Sequence, residues 1–392
     1  MDFRYFKGII DSTLREGVQT PGIDFGFAEK FDIIHQLVML GIDEIELGVA
    51  SSMYPELPFL VREAKWIVRG KSRLSLWCRC RTEDIEFAAQ CAPDVLSLSI
   101  PVSDLHLMQK LGRDRQWILQ TLVRAVTDAR KMGFHSISIG LEDATRADQD
   151  FLAVVIARAE SAGASRIRLA DTVGIATPAM ISNLVLHARQ HSSLPLGIHA
   201  HNDFGMATAN TVAALEAGAG WADATILGLG ERAGNCRLEE LVGYLGLVRG
   251  ENRYQPEKLT YLCNLVAAAA GFQISRHHPV VGEEIFTAET GLHVQGLTAN
   301  PKTYEPYDPC LVGRRRTLQF GKKTGKRAVR DSLASMGMEI SEAESAKLVS
   351  QVRQVAGKKK RALDIRELFN LAMKKGAQLP PILPGSAADM KN

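Results

Sequence analysis

No CxxC pair occurs among the six cysteines of this 392-residue chain (Cys78, Cys80, Cys91, Cys236, Cys263 and Cys310), and none sits at a metal-ligand spacing. That scatter excludes a zinc ribbon or a dithiol redox motif, and it predicts reduced, mostly buried thiols in a cytoplasmic protein. Excess charge of one sign is scarce as well: 47 Lys and Arg against 44 Asp and Glu leave a formal net charge of +3. Without local clustering, so faint an excess offers no footprint for nucleic acid, and no nucleic-acid partner is expected. Apolar runs are short. The longest, around residues 265–272, falls well below the length that spans a bilayer. The opening MDFRYFKGIID lacks the apolar core of a signal peptide. No membrane partner is expected. Finally, no GxGxxG follows the first candidate strand, which argues against an open dinucleotide-binding sheet.

What is present is a rhythm. Short β-rich runs at 8–11, 43–48, 74–79, 95–100, 136–140, 166–170, 196–200 and 223–227 alternate with longer amphipathic stretches. One such stretch places Phe27, Phe31, Ile34, Leu37 and Val38 at helical spacing and closes on Gly41, a helix C-cap signal. Alternation at this spacing means parallel βαβ units, and eight of them predict an α/β fold, a (β/α)8 TIM barrel. After about residue 262 the pattern changes. Pro279, Pro301, Pro306 and Pro309 punctuate an irregular stretch, and helical segments follow at 326–336, 341–356 and 364–375. The expected organisation is a barrel over residues 1–262 and a linker with a helical C-terminal appendage over 263–392. The charge run Lys358–Arg361 reads as a solvated helix end.

In such a barrel the functional groups lie where the strands end. The first strand offers Asp11, Arg15, Glu16 and Gln19; the second Glu46; the third Arg79; the fifth Glu142 and Asp143. The sixth offers Asp171 and Thr172, the seventh His199 and His201, and the eighth runs into Glu231, Arg232 and Asn235. The opposite rim offers no comparable gathering of charge, so this rim is the predicted site. His199-Ala200-His201 on a strand presents both imidazoles on one face, because strand side chains alternate with period two. In a closed barrel the first strand lies near the seventh, so Glu16 reaches the same point. Two imidazoles and a carboxylate make a site for a borderline divalent ion, with Asn235 as a weaker oxygen ligand. Arg15 beside Glu16 would meet charge developing on a polarised carbonyl. Asp11 either holds Arg15 or caps a loop. Glu46 and Glu142 are either supports for other groups or substrate contacts. His35, His106, His135, His187 and His191 read as surface histidines, and His277 and His278 as structural or exposed.

With DSTLREGVQTPG at 11–22, HAHNDFGMATAN at 199–210 and GLGERAGN at 228–235, nearly the whole chain resembles the DRE-TIM metallolyase family. The resemblance is to its Claisen-condensing branch of homocitrate, isopropylmalate and citramalate synthases. WCR at 77–79, SIPVSD at 99–104, KLGRDR at 110–115, EDATRAD at 142–148, ADTVGIATP at 170–178 and FTAETGLHVQG at 286–296 are similar to the nitrogen-fixation type of homocitrate synthase. The resemblance implies a divalent metal ion (Mg, Mn or Zn) on Glu16, His199 and His201 with Asn235 nearby, and acetyl-CoA as co-substrate. It implies Arg15 and Gln19 near a small-molecule 2-oxo acid and Thr172 on the substrate carboxylate. Arg79 and Glu142, at the ends of their strands, join the expected substrate-binding set. His293, in the TGLH segment, is implied as the acid–base group, working in the partner subunit of a homodimer. Where relatives often carry GKHSG this chain has Gly321-Lys322-Lys323-Thr324-Gly325, preceded by Arg314-Arg315-Arg316-Thr317. Those cations suit either a more highly charged substrate, such as phosphonopyruvate, or the phosphates of CoA; exposed basic residues without such a role are the other reading. Pyruvate and oxaloacetate remain alternative substrates. A carbon–carbon lyase and a non-catalytic ligand sensor are the rival functions.

Overall fold

The computed structural model describes residues 5–289, 293, 296, 297 and 299–374. Eight parallel strands close into a barrel in sequence order: β1 (Gly8–Asp11), β2 (Glu44–Val49), β3 (Arg73–Arg79), β4 (Val95–Pro101), β5 (Ile137–Glu142), β6 (Arg166–Asp171), β7 (Leu196–Ala200) and β8 (Trp221–Ala224). β1 pairs with both β2 and β8, which shuts the sheet. Helices such as Phe27–Leu40, Gln149–Ala162 and Pro178–His191 run between the strands. The first of these ends on Gly41, whose φ of 93° and close approach to the Arg253 carbonyl leave no room for a β-carbon.

Strand alternation sorts the residues into two layers. One set is apolar and fully buried: Ile45, Leu74, Leu76, Leu96, Leu98, Ile139, Ile167, Leu169 and Ile198. These face the helices, and each contributes about 1.5–3 kcal/mol by leaving water. The other set faces inward and is polar: Glu44 and Glu46 on β2, Ser75 on β3, Ser97 on β4, Ser138 on β5, Arg166 and Arg168 on β6, and Asp223 on β8. Across the barrel Arg166 donates to both oxygens of Glu44, at 3.0 and 2.8 Å, and its Nε donates to Ser138 at 3.0 Å. One layer higher, Arg168 bridges Glu46 and Asp223. Charge is thus not confined to one rim, as expected from sequence; it fills the interior in layers. The opposite end also carries a polar closure, where Tyr254 donates to Asp43 at 2.7 Å and Asp43 accepts from the Ile9 amide.

β8 departs from expectation. It covers Trp221–Ala224 rather than 223–227, because Leu227 turns left-handed (φ 58°) inside the 3₁₀ turn Ile226–Gly228. The turn packs against the helices Leu238–Gly243 and Leu259–Ala269 instead of extending the sheet. Two compact units divide the chain, Met1–Ile274 and Ser275–Asn392. The boundary expected at 262 falls inside the helix Leu259–Ala269, whose buried Leu259, Leu262, Cys263 and Val266 belong to the first unit. The second unit holds helices Lys326–Ser335, Glu342–Lys359 and Ile365–Met373. They pack around Phe320, Val329, Leu333, Val352, Leu363 and Leu368. Within the basic run, Lys359 and Arg361 pair with Glu367.

Candidate active site

Above the ionic layers, at the C-terminal ends of the strands, lies a cavity of about 220 Å³. β1 delivers its residues through a tight turn. Asp11 accepts from the Thr13 amide at 3.0 Å and its hydroxyl at 2.9 Å, and Thr13 in turn accepts from the Ile226 amide at 2.8 Å. Asp11 therefore braces the loop and is not the partner of Arg15. Burial pushes its carboxyl up to about 7, against the pull of the Thr13 hydrogen bonds. Arg15 turns to Glu46, donating from Nε at 2.6 Å, and pairs with Glu16 on its other side. Its guanidinium lies 5.7 Å from the Trp77 ring centroid. Glu46 also accepts from Ser12 at 2.7 Å and from Arg168 at 3.2 Å. Burial works to raise the Glu46 carboxyl, but Arg15 and Arg168 outweigh it and hold the group below the usual carboxylate range.

β7 contributes the two histidines. His199 Nδ1 bonds Asp223 Oδ2 at 3.0 Å, and His201 Nδ1 bonds the Asp171 carbonyl at 3.2 Å. Each bond fixes the ring and leaves the Nε2 lone pair available. Burial pushes His199 down and His201 down to about 3, so both rings are neutral and able to act as ligands near pH 7. Ligand atoms of Glu16, His199 and His201 lie within 4.8 Å of one another, with His199 Nε2 at 3.6 Å from Glu16 Oε1. Two buried atoms beside this cluster lack any hydrogen-bond donor: His201 Nε2 and Asn235 Oδ1. Asn235 pairs with His201 in a β-bridge and spends its amide on the Leu229 carbonyl at 2.8 Å, so its oxygen remains open. Orphaned lone pairs beside a carboxylate fit a cation, and the N₂O₂ donor set suits a borderline divalent ion. Glycine is needed to fold this loop: Gly234 has φ 84°, and a β-carbon there would run into the Gly228 carbonyl.

Of the sequence-predicted residues, Arg15, Glu16, Gln19, Glu142, Thr172, His199 and His201 line this one cavity. Glu46 lies beneath it, and Asn235 lies against His201. Arg79 does not join them. Half exposed, it forks onto Asp84 at 2.6 and 3.0 Å. His293 belongs to the second unit, where it is exposed with its ring 4.5 Å from that of Tyr304. His106 is not a surface residue: only 18% exposed, it bonds Glu142 at 3.0 Å. Glu142 accepts also from Lys110. Lys110, Arg168 and Trp77 also line the cavity, and sequence reasoning missed them. Their signal was there for Arg168. Glu44-x-Glu46 and Arg166-x-Arg168 carry opposite charge at strand spacing, the pattern of ion pairs facing across a barrel.

Residues 7–266 match the HMGL-like family, and residues 280–360 match the domain described as homocitrate synthase post-HMGL domain-like. The chain is 40% identical over 360 residues to the homocitrate synthase of Frankia sp. (strain FaC1), covering 91% of this chain and 88% of that protein. It is 36% identical over 364 residues to 2-isopropylmalate synthase 2 of Caldanaerobacter subterraneus subsp. tengcongensis, covering 93% and 94%. Among solved structures, the HMG-CoA lyase of Bacillus subtilis superposes with a TM-score of 0.63 at 20% identity, over 70% of this chain and 97% of that one. That likeness shows the shared barrel.

Proposed function

The chain belongs to the HMGL-like family, in its DRE-TIM Claisen-condensing synthase branch, and from that membership we propose how its barrel works. The protein is an acetyl-CoA-dependent acyltransferase, homocitrate synthase-like, that condenses an acetyl group with a 2-oxo acid. The family is divalent-metal dependent. Glu16, His199 and His201 hold the ion here, with Asn235 Oδ1 as a further donor, and the observation that carries this is the pair of buried, donorless lone pairs on His201 and Asn235. When bound, the ion supplies Lewis-acid polarisation of the 2-oxo carbonyl.

The chain's own residues do the rest. Arg15, pinned by Glu46, faces the charge that develops on the carbonyl oxygen. Gln19 and Thr172 hold the substrate carboxylate. His293, from the partner subunit of a homodimer, removes a proton from the acetyl methyl as general base. The enolate carbon attacks C2, and water then cleaves the thioester, releasing CoA and making the reaction irreversible.

The cavity wall favours a class of 2-oxo acid. Among the described residues, no aliphatic side chain larger than alanine lines it, whereas Lys110 and Glu142 do. A substrate anchored near β1 and β7 extends across the mouth toward β4 and β5, where Lys110 meets an ionised distal group. This supports 2-oxoglutarate first, and oxaloacetate or phosphonopyruvate next; it disfavours 2-oxoisovalerate, whose branched end finds no apolar pocket. The test is release of free CoA thiol from acetyl-CoA with each 2-oxo acid in turn, pyruvate included. Release with a dianionic acid supports the reading, and silence with all five would remove it.

A further inference from the structure

Arg168 is 5% exposed in its side chain and enters the barrel between two glycines, Gly140 and Gly197, that pair with it in register on the flanking strands. A β-carbon at either glycine would lie 3.7 Å from the Arg168 side chain, at its Nε above Gly140 and its Cγ above Gly197. From there a single nitrogen, Nη1, reaches two carboxylates: Glu46 Oε1 at 3.2 Å and Asp223 Oδ2 at 2.9 Å. Each carboxylate leads to a different working group. Glu46 uses Oε2 to hold Arg15, and Asp223 uses Oδ2 to hold His199.

The hold on Asp223 is thin without Arg168. Its other oxygen, Oδ1, is buried and has no hydrogen-bond partner, so the carboxylate is oriented through Oδ2 alone. Charge tells the same way. Three carboxylates (Glu16, Glu46, Asp223) crowd the site's floor against two guanidiniums (Arg15, Arg168), leaving one net negative charge. Removing Arg168 would leave two, buried, and would take away the cation that bridges Glu46 and Asp223 directly.

We infer that Arg168 is a positioning residue, the cation that, among the described residues, locks the carboxylate behind His199 to the carboxylate behind Arg15, so that ligand and oxyanion partner are set by a single side chain. The inference rests on the reading of the site given above. It predicts more than loss of a charge: the two arms should fail together, and a substitution should lower turnover and metal affinity while leaving substrate affinity alone.

The test compares the wild-type chain with Arg168→Met, Arg168→Lys, Asp223→Asn and the double variant Arg168→Met/Asp223→Asn. Circular dichroism establishes folding, calorimetric titration of Mn²⁺ into chelator-stripped protein gives metal affinity, and CoA release gives kcat and KM. Arg168→Met should bind Mn²⁺ about tenfold more weakly, as loss of a partner behind a ligand does. Its kcat should fall at least about tenfold with KM for the 2-oxo acid within about twofold, and Arg168→Lys should recover part of both. The double variant should be little worse than the poorer single, because both changes break one connection. Wild-type Mn²⁺ affinity and kcat in folded Arg168→Met, additive losses in the double variant, or a raised KM with kcat unchanged would each overturn the inference, the last by making Arg168 a substrate contact. Should Arg168→Met fail to fold, Arg168→Lys and Asp223→Asn carry the same comparison. A wild-type chain that binds no Mn²⁺ would instead sink the site itself.

Discussion

Each imidazole of the candidate site presents a lone pair only because its other nitrogen is engaged, His199 by Asp223 and His201 by the Asp171 carbonyl. Replacing either ring with alanine removes a ligand and leaves the rest of the barrel untouched. His199→Ala and His201→Ala should each weaken Mn²⁺ binding by more than about 100-fold and reduce CoA release to background, a loss beyond the 10–100-fold of an outer partner. Melting temperatures near wild type would show that the fold is intact. Asp11 yields a prediction of the opposite kind, about stability. Its folded pKa is raised to about 7 from an ordinary 3.8, so the native state binds the proton more tightly than the unfolded chain. The stability this contributes is complete below about pH 4 and is lost as pH rises through 7. Asp11→Asn should therefore gain on the wild type between pH 5 and pH 8, read as the difference in urea midpoints. A constant difference would mean that the carboxyl titrates normally.

At the scale of strands, much was legible and the reasons differ by element. Eight β-runs were readable because strands and helices alternate, and HxH on β7 was readable because period two puts both rings on one face. The end of β8 was not, since Ile226 and Leu227 sit in a turn that packs against the helices Leu238–Gly243 and Leu259–Ala269, and nothing in that dipeptide announces the left-handed Leu227. Arg79 misled because a strand's last residue can turn outward to the next helix, as it does to Asp84. The interior ion pairs of β2 and β6 make a stability prediction. Glu44 is almost fully buried and bonded to Arg166 on both oxygens. Glu44→Ala should cost about 3–5 kcal/mol by stranding a buried guanidinium, and Arg166→Met in the same chain should return most of it. Denaturant titration of the two variants checks this; equal instability in both would assign the cost to packing. On the loop after β8, Gly234→Ala should lower both the melting temperature and kcat, because a β-carbon there displaces the turn that carries Asn235.

Taken whole, the molecule comprises a barrel with its candidate site at one mouth and a second unit that matches the domain described as homocitrate synthase post-HMGL domain-like. The helices of that unit were legible from periodicity and caps, such as Ser341 with Glu344 and Asp364 with Glu367. The role proposed for His293 was not, since spacing alone does not separate a base from a structural histidine. Neither does spacing show which 2-oxo acid enters: Lys110 stands out only when the fold brings it beside Glu142. No described helix is long and apolar enough to cross a membrane. The most direct measurement is anomalous diffraction at the zinc edge from crystals grown with Zn²⁺. The expected result is one strong peak about 2.0–2.2 Å from Nε2 of His199, Nε2 of His201 and a Glu16 oxygen together. A peak elsewhere, with those three side chains contacting no ion, would contradict the account.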